Sequence, residues 1–198
     1  MSTPSAALGE GPFEPEYPIR TPRLLLRAYA PGDVDAVHAY HRLPQTARYL
    51  AHEPMSRAEA EALVTRRIGS STLAGVGEVL NLIIELAQTR ALVGDCVLFW
   101  RSRGQAQVGY VVNPAHQGRG YATEAVEALL RLGFEDLGLH RVAARCDARN
   151  TASARVMERA GMRREAHLVQ SEFIKGEWTD ELIYAILRSE WAARQQRG

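Results

Sequence analysis

The stretch GYVVNPAHQGRGYATEAVEALL, residues 109–130, decides how this chain is read. It opens as an apolar strand, passes through a turn-rich segment, and from Tyr121 onward repeats apolar positions at helical spacing. The first turn of such a helix has unpaired N–H groups, and its dipole favours an anion there. Gly118 and Gly120 let backbone approach a ligand closely, and Arg119 adds positive charge. The loop Gln117–Ala122 is therefore read as a phosphate cradle, with a plain tight β-α turn as the alternative. A Walker loop is set aside because no Gly-Lys-Ser/Thr follows. A dinucleotide fingerprint is discounted rather than excluded: Thr123 stands where a third Gly or Ala belongs, although Asp147 does follow the next strand.

Outward from the cradle, the helix is expected to run over Tyr121–Leu137, with Glu124, Glu127 and Arg131 on its solvent face. A strand over His140–Asp147 follows. Asn150 then caps a helix that Gly161 ends, and a hairpin turns at Lys175-Gly176, with Glu172 opposite Thr179 and Ser171 opposite Asp180. Upstream lie a strand in Thr21–Ala30, a helix started by Pro31-Gly32-Asp33, and a loop over Arg42–Ser56. Next come a helix with a Ser56/Glu59 capping box and three strands between Val76 and Val112. The order is β-α-α-β-β-β-α-β-α-β-β. It implies an α/β (α+β) mixed sheet, mostly antiparallel, with one central β-α-β unit and helices on both faces. Residues 1–18, rich in proline, are expected to be a flexible tail, 19–191 a single domain, and 192–198 a second tail.

The net charge of +1 excludes the basic excess of a nucleic-acid binder. Two cysteines, Cys96 and Cys146, are too few for a disulfide scaffold and read as free thiols of a cytoplasmic protein. No apolar run is long enough to span a bilayer, and no secretory leader is visible. The six histidines show no clustered metal-ligand spacing, so no metal is expected. Tyr40, Tyr49, Met55 and Trp100 read as packing residues, and Arg66 and Arg67 as a solvated helix face.

Taken together, the motif Q-x-x-G-x-A after a GY-containing strand and the run NTASARVMERAGM resemble the GNAT superfamily of N-acetyltransferases. GYATEA, DARNTAS and the closing FIKGEWTDELIY are more narrowly similar to its ribosomal-protein-alanine N-acetyltransferase (RimJ/RimL-like) branch. The resemblance implies acetyl-CoA as co-substrate and a primary-amine acceptor. Backbone groups of Tyr110, Val111 and Val112 would hold the pantetheine arm between splayed strands, with an amide near Val112 facing the thioester carbonyl. The N–H groups of Gln117, Gly118, Arg119, Gly120, Tyr121 and Ala122 would hold the pyrophosphate, with the Thr123 hydroxyl beside them. Asn150 has two readings, a helix cap or a cofactor contact.

Many members of the superfamily carry a proton-donating tyrosine where this chain has Met157. The narrower branch implies Ser153 as acid and Glu172 as base, against the plainer readings of a hydroxyl bonded to its own helix and a solvated strand residue. Asp180 is a secondary acidic candidate. The acceptor is expected to be a protein N-terminal α-amine, with an aminoglycoside or polyamine as alternative. A non-catalytic acyl-CoA-binding regulator is the reading from another class, and a homodimer is left open.

Overall fold

The computed structural model describes residues 12–196. One eight-stranded sheet runs in the order β1-β2-β3-β4-β5-β6-β8-β7. The strands are β1 Ile19–Arg20, β2 Leu24–Arg27, β3 Val79–Leu86, β4 Leu92–Ser102, β5 Gln105–Val112, β6 Arg141–Asp147, β7 Arg163–Ile174 and β8 Glu177–Leu187. Every neighbouring pair is antiparallel except β5 and β6, which the crossover helix joins in parallel. The helices are α1 Val34–His41, α2 Pro44–Ala47, α3 Arg57–Ile68, α4 Tyr121–Arg131, α5 Thr151–Arg159 and α6 Arg188–Gln195. None among the described residues is long and apolar enough to cross a membrane.

The pleat divides the core in two. On β3, Leu80, Leu82 and Ile84 face a large cluster that includes Val126 and Leu129 of α4 and Met157 of α5. Ile83, one residue out of phase, faces Val37, Tyr40, Leu63 and Val64 of α1 and α3. Both faces are thus covered, as the mixed-sheet reading requires. Helix α3 begins where expected: Ser56 Oγ accepts from the Glu59 N–H while the Glu59 carboxylate accepts from the Ser56 N–H.

Several expectations are corrected. Contacts with the folded body begin ahead of residue 19, within the expected tail. Phe13 exchanges two backbone hydrogen bonds with Leu73, and the Tyr17 hydroxyl donates to Ser71 O at 2.6 Å, because two aromatic rings in that proline-rich segment find apolar surface. The rest of the expected tail, residues 1–11, lies outside the described residues. At the other end, buried Trp191 packs on Phe134, so α6 carries the fold on to Gln195, within the second expected tail; residues 197–198 are not described.

The loop 42–56 contains the short helix α2. Helix α4 passes at Leu132 into a π-helical turn ending at Asp136. In the closing hairpin, Glu172 does face Thr179, but the register shifts between Leu168 and Glu172. Ser171 therefore has no partner in Asp180, whose carboxylate instead accepts from the Gln170 N–H at 2.9 Å.

Candidate active site

The site starts where β5 and β6 part. They pair only over Gln105–Val108 and Arg141–Ala144. Beyond that, β5 continues against β4 to Val112, and β6 continues against β8 to Asp147. A gap therefore opens between residues 109–112 and 145–147, the splay that a pantetheine arm needs. Asn113 N–H donates to Val93 O at 2.8 Å. The two-residue alternation of the ladder then turns the Val111 backbone groups toward β4 and those of Tyr110 and Val112 toward the gap. Gln117 Nε2 occupies the Val112 carbonyl at 3.1 Å, leaving the Val112 N–H as the donor there. Of the three expected backbone contacts, Tyr110 and Val112 face the gap and Val111 faces β4.

The gap leads to the N-terminus of α4. Gly118 and Gly120 have φ of 74° and 81°, and Gly120 is an N-cap without a capping side chain. The first-turn N–H groups thus have no side-chain cap. Thr123 Oγ1 is buried with no hydrogen-bond partner among the described residues, so this hydroxyl does not reach the loop surface. Arg23, which sequence reasoning missed, supplies further positive charge. Its guanidinium donates to Arg119 O and Glu124 and lies 4.9 Å from the centroid of the Tyr121 ring. Glu124, expected in solvent, accepts from the Thr21 hydroxyl and from Arg23. Burial pushes this carboxyl up, but those bonds outweigh burial and hold it below its ordinary value. No local signal marks the Arg23–Glu124 pair, because its members lie 101 residues apart.

At the start of α5, Asn150 acts as the expected cap, accepting from the Ser153 N–H at 3.1 Å through Oδ1. Ser153 is half-buried beside the buried core residue Met157. The Tyr110 hydroxyl lies 2.8 Å from Ser153 Oγ and donates to Ser153 O at 3.0 Å. Cys146, a free thiol on β6, also meets the Ser153 hydroxyl; burial pushes the thiol up to about 11, so it stays protonated. A tyrosine is thus present near the start of α5, but it comes from β5 rather than from the helix.

The opposite face carries carboxylates. Leu182 and Tyr184 of β8 point into the α4–α5 core, so the intervening alternation turns Thr179 and Glu181 toward the α1–α3 side. Glu172, across from Thr179, and Asp147, across from Glu181, share that side. Glu172 is exposed. Glu181, not singled out from sequence, is buried, with Arg145 Nη1 3.3 Å from Oε2. Burial raises its carboxyl above the ordinary value; Arg145 opposes this and Glu172 adds to it. Asp180 lies on the other face, bonded to His167 at 2.7 Å.

The hairpin tip folds back over the α1–α3 side, where Lys175 Nζ donates to Ala47 O at 2.7 Å. Beneath that side lies a buried polar cluster. Asp95 accepts from the Tyr40 hydroxyl at 2.5 Å and from Arg67 at 2.8 Å, and His41 Nε2 is 3.2 Å away. Arg67 is therefore no solvated helix residue. Burial pushes the Asp95 carboxyl up, but His41, Arg67 and Tyr40 together hold it down at about 2.

Comparison with known proteins identifies the family. Residues 23–163 match the family model described as an acetyltransferase (GNAT) domain. The chain is 35% identical over 175 residues to the uncharacterized N-acetyltransferase YnaD of Bacillus subtilis, covering 87% of this chain and 98% of that protein. A GNAT-family acetyltransferase from Bacillus anthracis superposes with a TM-score of 0.79 at 33% identity, covering 86% of this chain and 98% of the other. The spermidine N-acetyltransferase of Vibrio cholerae, solved with CoA and spermine, superposes with a TM-score of 0.72 at 27% identity, over 87% and 99% of the two chains.

Proposed function

Since the chain belongs to the GNAT acetyltransferases and is an acyl-CoA-dependent N-acetyltransferase, we propose that it moves an acetyl group from acetyl-CoA directly to a primary amine, first among them a protein N-terminal α-amine. The observation that carries this reading is the β5–β6 gap running into the uncapped N-terminus of α4. The residues fit the co-substrate. Tyr110 and Val112 offer backbone to an extended arm, and Gly118, Arg119, Gly120, Tyr121 and Ala122 offer backbone to a pyrophosphate. Arg23 supplies charge, and the Asn150 amide retains Nδ2 as a donor because its cap uses Oδ1. Bound acetyl-CoA supplies the activated acyl group.

In this reading the Val112 N–H stabilises charge developing on the carbonyl oxygen. Glu172 takes the proton the amine must lose, and the Ser153 hydroxyl donates to the departing sulfur. An exposed carboxylate is a modest base. It suffices for an α-amine of pKa about 8, whereas an alkyl amine near 10.4 is almost fully charged at neutral pH. That contrast favours the α-amine. A polyamine is the second reading, favoured by Glu172, Glu181 and Asp147 gathered on the acceptor face. A cytoplasmic location belongs to this reading and is supported by the free thiols Cys96 and Cys146.

The test is thiol release from acetyl-CoA against N-terminal peptides, polyamines and aminoglycosides. Turnover on peptides is expected, and Glu172→Gln is expected to lower kcat by about 10²-fold, the lower range for general base catalysis. For an α-amine acceptor the pH dependence of kcat/KM levels off near about 8; for a polyamine it keeps rising toward about 10. CoA binding without turnover on any class would establish a regulator instead. Undiminished turnover by Glu172→Gln would remove the base assignment.

A further inference from the structure

We propose that the Tyr110 phenol is a positioning residue for thiol departure, holding and polarising the Ser153 hydroxyl toward the leaving sulfur at the floor of the β5–β6 gap. This role rests on the acetyl-transfer reading above and is separate from any contact made by the Tyr110 backbone. Tyr110 lies on the four residues of β5 that have no partner on β6, two residues before Val112. Its backbone faces the gap, while its ring packs on the α4–α5 side and its hydroxyl reaches Ser153 Oγ at 2.8 Å.

The carbonyl oxygen and the sulfur of a thioester share one carbon. A carbonyl held at Val112 N–H therefore places the sulfur near the same short length of strand. The phenol proton can be directed to Ser153 O, as at 3.0 Å, or to Ser153 Oγ. In the second arrangement Ser153 accepts from Tyr110 and its own O–H is left to donate to sulfur. Hydrogen bonds in such a chain polarise one another.

The step balances without a proton from tyrosine. The amine nitrogen forms a bond to the carbonyl carbon, and the C–S bond breaks with its electron pair going to sulfur. The nitrogen's proton leaves through Glu172 to solvent. The sulfur departs as a thiolate hydrogen-bonded to Ser153 and is protonated by water on release. Tyr110 stays neutral throughout: burial raises its phenol, partly opposed by the bond to Ser153. The groups around the pair are the Cys146 thiol from β6 and the Asn150 cap of α5, and neither is charged at neutral pH.

The experiment compares wild type, Tyr110→Phe, Ser153→Ala and a form carrying difluorotyrosine at position 110. It measures kcat against pH, KM for acetyl-CoA and calorimetric CoA affinity, using the best acceptor of the panel above. Tyr110→Phe is expected to lower kcat about 10-fold, with KM and CoA affinity changing less than about twofold, the signature of an interaction realised in the transition state. Fluorination makes the phenol more acidic while keeping the ring and its hydrogen bonds. It is expected to bring a falling limb of kcat into the assay range, where wild type shows none below about pH 10.

A purely structural staple between β5 and α5 would give no such limb. Wild-type kcat in Tyr110→Phe, or an unchanged pH profile in the fluorinated protein, would overturn the proposal. Wild-type kcat in Ser153→Ala would instead remove the Ser153 assignment beneath it. Absence of turnover by wild type on every acceptor would remove the acetyl-transfer reading itself.

Discussion

At the scale of single residues, Asp95 and Gly94 show how neighbours on one strand impose opposite demands. Asp95 is buried beneath the α1–α3 face, with Tyr40, His41 and Arg67 bonded to one carboxylate. Its pKa falls from 3.8 to about 2 on folding. A carboxylate whose folded pKa is depressed contributes stability that is fully present above its unfolded pKa and is lost as pH falls through the folded value. Asp95 should therefore contribute on the order of 2 kcal/mol at neutral pH, lost between about pH 4 and 2. Thermal unfolding of Asp95→Asn is expected to show a lower Tm at pH 7, with the difference from wild type narrowing in acid. Gly94 faces a steric limit instead. A Cβ there would stand 2.1 Å from Val111 O, and a backbone oxygen cannot swing aside. Gly94→Ala is expected to cost at least about 1–3 kcal/mol in denaturant unfolding, as overpacking does. Nothing in the composition around Gly94 announces this, because the obstructing atom belongs to another strand.

At the scale of elements, the N-terminus of α4 carries the most weight. Gly120 is its cap at φ of 81° with no capping side chain, so the first-turn donors have no side-chain cap, and in the proposed reading they meet the pyrophosphate. Gly120→Ala should cost about 1–3 kcal/mol through left-handed strain. Its effect on acetyl-CoA affinity, read by calorimetry, is expected to exceed that of Ser56→Ala. The latter removes a complete capping box and should cost about 1 kcal/mol of stability with CoA affinity unchanged. Both helix starts are legible locally: a glycine pair before an amphipathic run, and Ser56 three residues before Glu59. The hairpin was readable only in part. Its turn and the Glu172–Thr179 pair follow from Lys175-Gly176, but the register shift between Leu168 and Glu172 has no turn residue to mark it. Gln170 there adopts φ of 47° while its N–H donates to Asp180.

For the molecule as a whole, the sheet carries α4 and α5 on one face and α1 and α3 on the other; in the proposed reading the first is the cofactor side and the second, with the hairpin, the acceptor side. The hairpin is tied to α2 at Lys175, whose ammonium donates to Ala47 O and lies 3.8 Å from Glu53. Removing that tie should loosen the hairpin over the acceptor while leaving the cofactor side intact. Lys175→Ala is expected to raise the acceptor KM several-fold, with KM for acetyl-CoA unchanged; a shift in both would show that the two halves do not separate in this way. Beyond the tie, the Phe173 and Trp178 rings meet at an inclination of 57° with centroids 5.3 Å apart and remain largely exposed at the hairpin end.

The chain by itself determined the fold class and the strand–glycine-turn–helix of residues 109–130, because these rest on local periodicity, glycine placement and helix caps within a few residues of one another. Residues 109–130 and 150–161 carry that information in short, contiguous patterns. Only the tertiary structure decided which backbone groups face the β5–β6 gap, since that depends on the ladder with β4. It decided also that Arg23 reaches the α4 cap, that Arg67 is drawn into the Asp95 cluster, and that the phenol of Tyr110 meets Ser153 43 residues away. Such pairings depend on which strands lie side by side and where their pairing ends. Sequence periodicity constrains the face on which a residue lies, but it carries no record of the partner waiting there.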